Sequence, residues 1–204
     1  MIGIVDYGLG NVQAIANIYK KLDMPCMPVR DPASLREAKQ LILPGVGSFD
    51  WAMRRLQDSG MREPLDEAVL VRKTPVLGIC VGLQMMTRRS DEGELPGLGW
   101  IAGEVRRFED ARLTAGRRLP HMGWNDVEPR EGVPIFRDLG QDVRFYFLHS
   151  YYVVTDSDAD VLATTDYGGA FTCSAGHANI FGVQFHPEKS HHWGVQLLKN
   201  LASC

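Results

Sequence analysis

One cysteine in this chain has the neighbours that a nucleophile needs. Cys80 lies in Gly78-Ile79-Cys80-Val81-Gly82, after the apolar run Thr74-Pro75-Val76-Leu77-Gly78-Ile79 and before Leu83-Gln84-Met85-Met86. The pattern is strand, sharp turn, helix, with a thiol at the apex. A nucleophile on such a turn sits in a cramped backbone, and Gly78 and Gly82 supply the small flanks. The start of the following helix favours a thiolate through its free N–H groups and dipole. The N–H of Val81 would point at a developing oxyanion. A buried core cysteine after a strand fits the same five residues, so the choice rests on whether the chain also supplies a base.

A base stands in Gly182-Val183-Gln184-Phe185-His186-Pro187-Glu188-Lys189. Val183 and Phe185 alternate with Gln184 as in a buried strand, and His186 stands at its end, where active-site residues of open α/β sheets gather. Pro187 keeps His186 out of helical geometry. In an extended backbone His186 and Glu188 project to the same side, so the carboxylate can accept the imidazole N–H. The combination fits a Cys-His-Glu triad. The alternative is a surface His and Glu around a strand-ending proline.

Other polar residues gather around these two motifs. Gln84, four residues after Cys80, shares the nucleophile's helix face. It can hold a substrate or cap the packing of that helix. Pro44-Gly45-Val46-Gly47-Ser48-Phe49 follows an apolar strand. It is either an ordinary turn capped by Ser48 or a loop beside the elbow giving a second oxyanion N–H. Ser150 and Tyr151 suit a polar substrate, whereas His149 beside them reads better as a hydrogen-bonded structural histidine. His191 and His192 with His186 suggest a metal cluster, but no matched cysteine or carboxylate accompanies them, so metal binding is disfavoured. His121 and His177 carry no pattern readable at this stage. Gly8-Leu9-Gly10 lacks a third small residue at Gln13, so a tight strand-to-helix turn is preferred over a dinucleotide site.

The elements that must position these residues are legible in outline. Residues 2–5, 24–29 and 40–43 read as strands, and Val12, Ile15, Ile18, Tyr19 and Leu22 recur at helical spacing between the first two. Helices are expected over 49–57 and 62–71. This alternation means a parallel sheet with crossover helices. Residues 90–99 are a loop. Beyond it, strands with short connections are expected over 100–108, 117–122, 126–128, 144–148, 151–154, 161–164, 170–174 and 180–185, an antiparallel part that extends the sheet or packs on it. A helix over 190–201 closes the chain.

Composition narrows the class. At 204 residues, 45% hydrophobic and 23% charged, the chain suits one domain over 1–204 with a full core. The net charge of -3 with no basic block gives nucleic-acid binding little support. No apolar run approaches a membrane span, and Met1-Ile2-Gly3-Ile4-Val5 is too short and uncharged for a signal peptide. Cys26, Cys80, Cys173 and Cys204 have neither metal nor disulfide spacing, which suggests a reducing cytoplasm.

The elbow, the Pro44-Gly45-Val46-Gly47 loop and the His186-Pro187-Glu188 end together resemble the class I (triad) glutamine amidotransferases. The chain order Cys…His…Glu, unlike the Ser…Asp…His of α/β-hydrolases, agrees. His121-Met122-Gly123-Trp124-Asn125, with residues 5–11, 145–151, 182–190 and 194–200, carries the resemblance across essentially the whole chain. The members most resembled are glutaminase subunits that serve a separate HisF-like (β/α)8-barrel cyclase. The resemblance implies an open, mostly parallel, flavodoxin-like α/β sheet flanked by helices, with an added antiparallel part. It implies that Cys80 attacks the side-chain amide of glutamine, giving a γ-glutamyl thioester and ammonia. His186 would then shuttle the proton, Glu188 would orient it, and water would release glutamate. Gly45, Val46, Gly47 and Val81 would serve the oxyanion, and Gln84, Ser150 and Tyr151 would hold glutamine. Asn11, Met122, Trp124, Tyr146 and Lys189 match positions facing the cyclase in a heterodimer that makes imidazole glycerol phosphate and AICAR for histidine biosynthesis. No metal or other cofactor is implied. Two other readings stay open: a paralogue supplying ammonia to a sugar nucleotide in surface-polysaccharide synthesis, and a stand-alone cysteine hydrolase.

Overall fold

The structure is a computed structural model that describes residues 1–109 and 118–204. The strands are β1 (Ile2–Val5), β2 (Cys26–Val29), β3 (Gln40–Gly45), β4 (Val76–Cys80), β5 (Gly103–Arg107), β6 (His121–Asp126), β7 (Glu128–Pro129), β8 (Arg144–His149), β9 (Tyr151–Thr155), β10 (Val161–Asp166), β11 (Ala170–His177) and β12 (Ile180–Val183). The α-helices are α1 (Val12–Lys21), α2 (Pro32–Glu37), α3 (Phe49–Asp58), α4 (Arg62–Asp66), α5 (Val81–Met85) and α6 (His191–Leu201).

The order β2-β1-β3-β4-β12 is parallel throughout. That is the flavodoxin-like order, with the last strand of the chain in the fifth place. β1, β4 and β12 are buried along their whole length, which is why they read as continuous apolar runs rather than alternating ones. Beyond β12 the sheet turns antiparallel through β11, β10 and β7. β9 pairs with β11, and β5 pairs with β9. β6 and β8 form a separate two-stranded ribbon. The later strands therefore both extend the main sheet and pack beside it.

Register decides where the chemistry falls. Pairing of β3 with β4 sets Gly45 beside Cys80, and pairing of β4 with β12 sets Ile79 beside Val183. The carboxyl ends of three neighbouring strands thus deliver the 45–47 loop, the elbow and His186 to one edge. The first βα turn completes this edge, because the Tyr7 hydroxyl donates to the Pro44 carbonyl at 2.8 Å. Residues 8–10 are accordingly a tight turn packed under the loop.

Several local expectations are corrected. The 62–71 helix is α-helical only to Asp66 and continues as a π-turn over Glu67–Val71. The 126–128 strand is divided between the end of β6 and β7, and the 100–108 strand narrows to β5. The strand expected from residue 117 begins at His121, and Arg117 itself lies outside the described residues. Helix α2 was not legible. It is too short for periodicity and buries only Leu35, and it is fixed by Asp31, whose carboxylate accepts the N–H groups of Ala33 and Ser34 at 2.9 Å each.

Candidate active site

Cys80 ends β4 with φ 55° and ψ −114°, a left-handed backbone that a non-glycine residue adopts only when its surroundings enforce it. The enforcement is steric. A Cβ on Gly82 would lie 1.9 Å from the Leu43 carbonyl oxygen, so only glycine lets α5 start this close to β3. The Cys80 thiol is therefore held at the apex by backbone on both sides.

His186 and Glu188 meet it there. The His186 Nδ1 to Glu188 Oε1 distance is 2.9 Å, with their side chains 6% and 3% exposed. Burial pulls the His186 pKa down, but hydrogen bonds and charge attraction from Cys80 and then Glu188 outweigh it, and the pKa rises to about 9. His186 is therefore held in its protonated form. Glu188 Oε2 is buried and makes no hydrogen bond among the described residues, so the charge of this carboxylate is directed mainly at His186. The turn carrying His186 is clamped to β8: the His186 N–H donates to the Tyr146 carbonyl at 2.9 Å, and the Tyr146 N–H donates to Ser190 Oγ at 3.0 Å.

A cavity of about 210 Å³ opens onto Cys80 and His186. Val46, Gly47, Val81, Gln84, Ser150 and Tyr151 line it, as do His149, Leu148, Lys189 and Glu92. Gly45 stays in the strand beside Cys80, while Gly47, with φ +85°, carries the loop over the cavity in a conformation suited to glycine. The Gln84 amide donates to the Tyr151 carbonyl at 3.3 Å and to Gln184 Oε1 at 3.0 Å. Gln184 in turn offers its own amide to Cys80 Sγ at 3.7 Å.

Two of these residues escaped the sequence reading. Gln184 was only a polar break in an apolar strand, and its full burial is the sign that it has partners. Glu92 sat in a loop rich in acidic residues. It accepts the Phe49 N–H at 2.8 Å and so caps α3, a task that Ser48 at the N-cap position leaves undone. Burial, partly offset by that bond, raises its pKa.

The family model for class-I glutamine amidotransferases matches residues 3–202. The chain is a class I glutamine amidotransferase. It is 53% identical to the imidazole glycerol phosphate synthase subunit HisH of Bdellovibrio bacteriovorus, over 99% of each chain. It is 48% identical to the HisH subunit of Leptospira interrogans, over the whole of both. Among solved structures, a glutamine amidotransferase superposes with TM-score 0.74 at 19% identity, covering 98% of each chain. PurLQS from Thermotoga maritima gives 0.70 at 18%, covering 99% of this chain and 97% of the matched one. At that identity the structures speak for the fold alone.

The remaining positions singled out in this amidotransferase lie mostly on one face. β6 and β8 pair Met122 with Leu148 and Trp124 with Tyr146. Met122, Trp124 and Leu148 are 64%, 38% and 37% exposed. Trp124 meets Tyr146 edge-on and stacks on His191, and the Lys189 ammonium lies 5.7 Å from the centre of the Tyr146 ring. Asn11 is exposed at the N-cap of α1, apart from the ribbon but beside the turn packed on Pro44. His191 is thus engaged in stacking at the start of α6. Among the described residues no helix is long and apolar enough to cross a membrane.

Proposed function

We propose that this amidotransferase is the glutaminase subunit, HisH, of a cytoplasmic imidazole glycerol phosphate synthase, acting as one domain over 1–204. The carrying observation is the thiol of Cys80 on a strained elbow, opening onto one cavity with His186, whose Nδ1 lies 2.9 Å from Glu188 Oε1. Full-length identity of 53% to a HisH subunit supports the pathway, and four unpaired cysteines support the compartment.

The Cys80 thiolate attacks the side-chain carbonyl carbon of glutamine, and the carbonyl π electrons move onto oxygen. N–H groups of Val81 and of the 45–47 loop stabilise that oxyanion. The His186 imidazolium gives its proton to the departing nitrogen, so ammonia leaves and a γ-glutamyl thioester remains. Water, deprotonated by His186, then releases glutamate. Gln84, Ser150 and Tyr151 hold the amino-acid end of the substrate, and the Glu92 carboxylate complements its ammonium group. Ammonia passes to a HisF-like (β/α)8 cyclase docked on the Met122, Trp124, Tyr146, Lys189 and Asn11 face. Gly47 lets the loop turn a peptide at small cost, and one missing oxyanion donor costs about 10²–10³-fold. Docking of the cyclase with acceptor in its site biases the loop to its active form, so glutamine hydrolysis stays low until an acceptor is present.

The test is glutamate release by the chain alone, with a HisF-like cyclase, and with cyclase plus an analogue of its acceptor. Activity is expected to rise at each step. Full activity in the lone chain, unchanged by any cyclase, would favour a stand-alone hydrolase. Stimulation only by a cyclase-like partner that binds a sugar nucleotide would move the chain to polysaccharide amidation.

A further inference from the structure

His121 and His149 face each other across the β6–β8 ribbon, and both are buried. His121 Nδ1 lies 3.0 Å from His149 Nε2, and His149 Nδ1 lies 2.7 Å from the Tyr151 carbonyl oxygen. At the far end His121 Nε2 is 3.3 Å from the Asn125 amide nitrogen, which also donates to the Asp166 carbonyl at 2.8 Å. His121 is stacked on the rings of Tyr167 and Phe147, at 3.9 and 4.7 Å between centroids. None of these contacts is part of the hydrolysis described above.

Donor and acceptor roles along this row follow from one end. A carbonyl oxygen only accepts, so His149 Nδ1 carries the hydrogen. Its Nε2 is then the bare nitrogen and accepts, which requires a hydrogen on His121 Nδ1. His121 Nε2 in turn accepts from the Asn125 amide. A proton on His149 Nε2 would set two N–H groups against each other at 3.0 Å. Burial above all holds the His149 pKa down at about 3, outweighing the Tyr151 carbonyl, which favours the protonated ring. The ring is therefore neutral in the working range.

The row ends on the glutamine pocket, because the Tyr151 carbonyl that His149 fixes also holds the Gln84 amide at 3.3 Å. Its other end is the inward face of β6, whose outward face carries Met122 and Trp124. From this geometry we infer that His121 is a positioning residue: two neutral histidines tie the inner face of the partner-facing strand to the segment that holds glutamine. Movement of β6 on docking is passed to Tyr151 and Gln84 through three directional hydrogen bonds rather than through loose packing. The inference rests on the glutamine reading of the pocket.

Two measurements test it. Long-range ¹H–¹⁵N correlation spectra of the full chain should show both rings neutral with the hydrogen on Nδ1 between about pH 5.5 and 8. A hydrogen on Nε2 of either ring, or titration in that range, overturns the chain of bonds. In the complex with cyclase, His121→Phe keeps the ring and its stacking but removes both bonds. It should raise KM for glutamine by roughly 10–100-fold, the effect of orphaning a buried acceptor, with cyclase affinity changed less than about twofold. His121→Asn places an amide N–H where Nδ1 stood and should recover most of that loss. Equal KM values in the wild type and both variants, or equal losses in both variants, overturn the positioning role. Absence of glutamate release from the wild-type complex would refute the glutamine reading instead, and the spectra, which need no substrate, would still decide the bonds.

Discussion

Glu188→Gln offers a test of the triad in which position on the pH axis matters more than the size of a rate loss. Its carboxylate lies 2.9 Å from His186 Nδ1, with its side chain 3% exposed. Cys80 and Glu188 together lift His186 from 6.5 to about 9 against the opposing effect of burial. A pKa difference of one is worth about 1.4 kcal/mol, and a buried charge pair at this distance supplies a few kcal/mol at most. Removing the Glu188 charge while keeping an acceptor should therefore bring His186 to roughly 7–8. Ammonia leaves only when His186 carries its proton, so kcat/KM is full below the His186 pKa and falls as pH rises through it. The wild-type alkaline limb is expected near 9 and the variant's between about 7 and 8. At about pH 8.5 the wild type keeps roughly three-quarters of its imidazolium and the variant about one-tenth, a further loss of roughly eightfold beyond any pH-independent one. Glutamate release by the cyclase complex at subsaturating glutamine, from about pH 6 to 10, measures this directly. An alkaline limb that stays in place in Glu188→Gln would refute the pairing, whatever the change in absolute rate.

Cys80→Ala should abolish glutamate release with fold and partner binding retained. A glutamine-like electrophile should label Cys80 and spare Cys173, which is fully buried with its pKa pushed far up, and Cys26 and Cys204, whose pKa values burial also raises; peptide mass analysis reads the site. Gln184→Leu removes an amide from Cys80 Sγ and an acceptor from Gln84, and kcat/KM should fall roughly 10–100-fold, since a hydrogen bond to a charged group is worth about 1.5–3 kcal/mol. A loss under about twofold would mean that this contact does nothing for the thiolate. Gly82→Ala must move the α5 start away from the Leu43 carbonyl, so glutaminase activity and melting temperature should fall together, whereas Gly60→Ala, strained by its φ of +68° but with no atom within 4 Å of its added methyl group, should lower the melting temperature and leave activity intact. Here activity at the wild-type level in Gly82→Ala would refute the steric account of the elbow.

By itself the sequence determined the parts whose geometry is local. Gly78-Ile79-Cys80-Val81-Gly82 specifies a strained strand-to-helix turn because the steric demand falls on the adjacent residues themselves. His186-Pro187-Glu188 brings imidazole and carboxylate together across two residues, although the link is a 3-10 turn over Pro187–Lys189 and not the extended backbone expected. That the early strands form a parallel sheet was legible from buried strands alternating with helical periodicity, whereas their order was not. What only the tertiary structure decided depends on register and on residues far apart in the chain. Whether Gly45 lies beside Cys80 rests on how β3 meets β4, a question of pairing that no single strand answers. Gln184 and His121 look like ordinary polar residues until folding buries them, and a buried polar group must find a partner; half-buried Glu92 finds one too. Their partners, Cys80, the Phe49 N–H and His149, come from other elements. A β6–β8 ribbon apart from the main sheet was equally hidden, because alternation in Met122 and Trp124 reports one exposed face and not which strand pairs behind it.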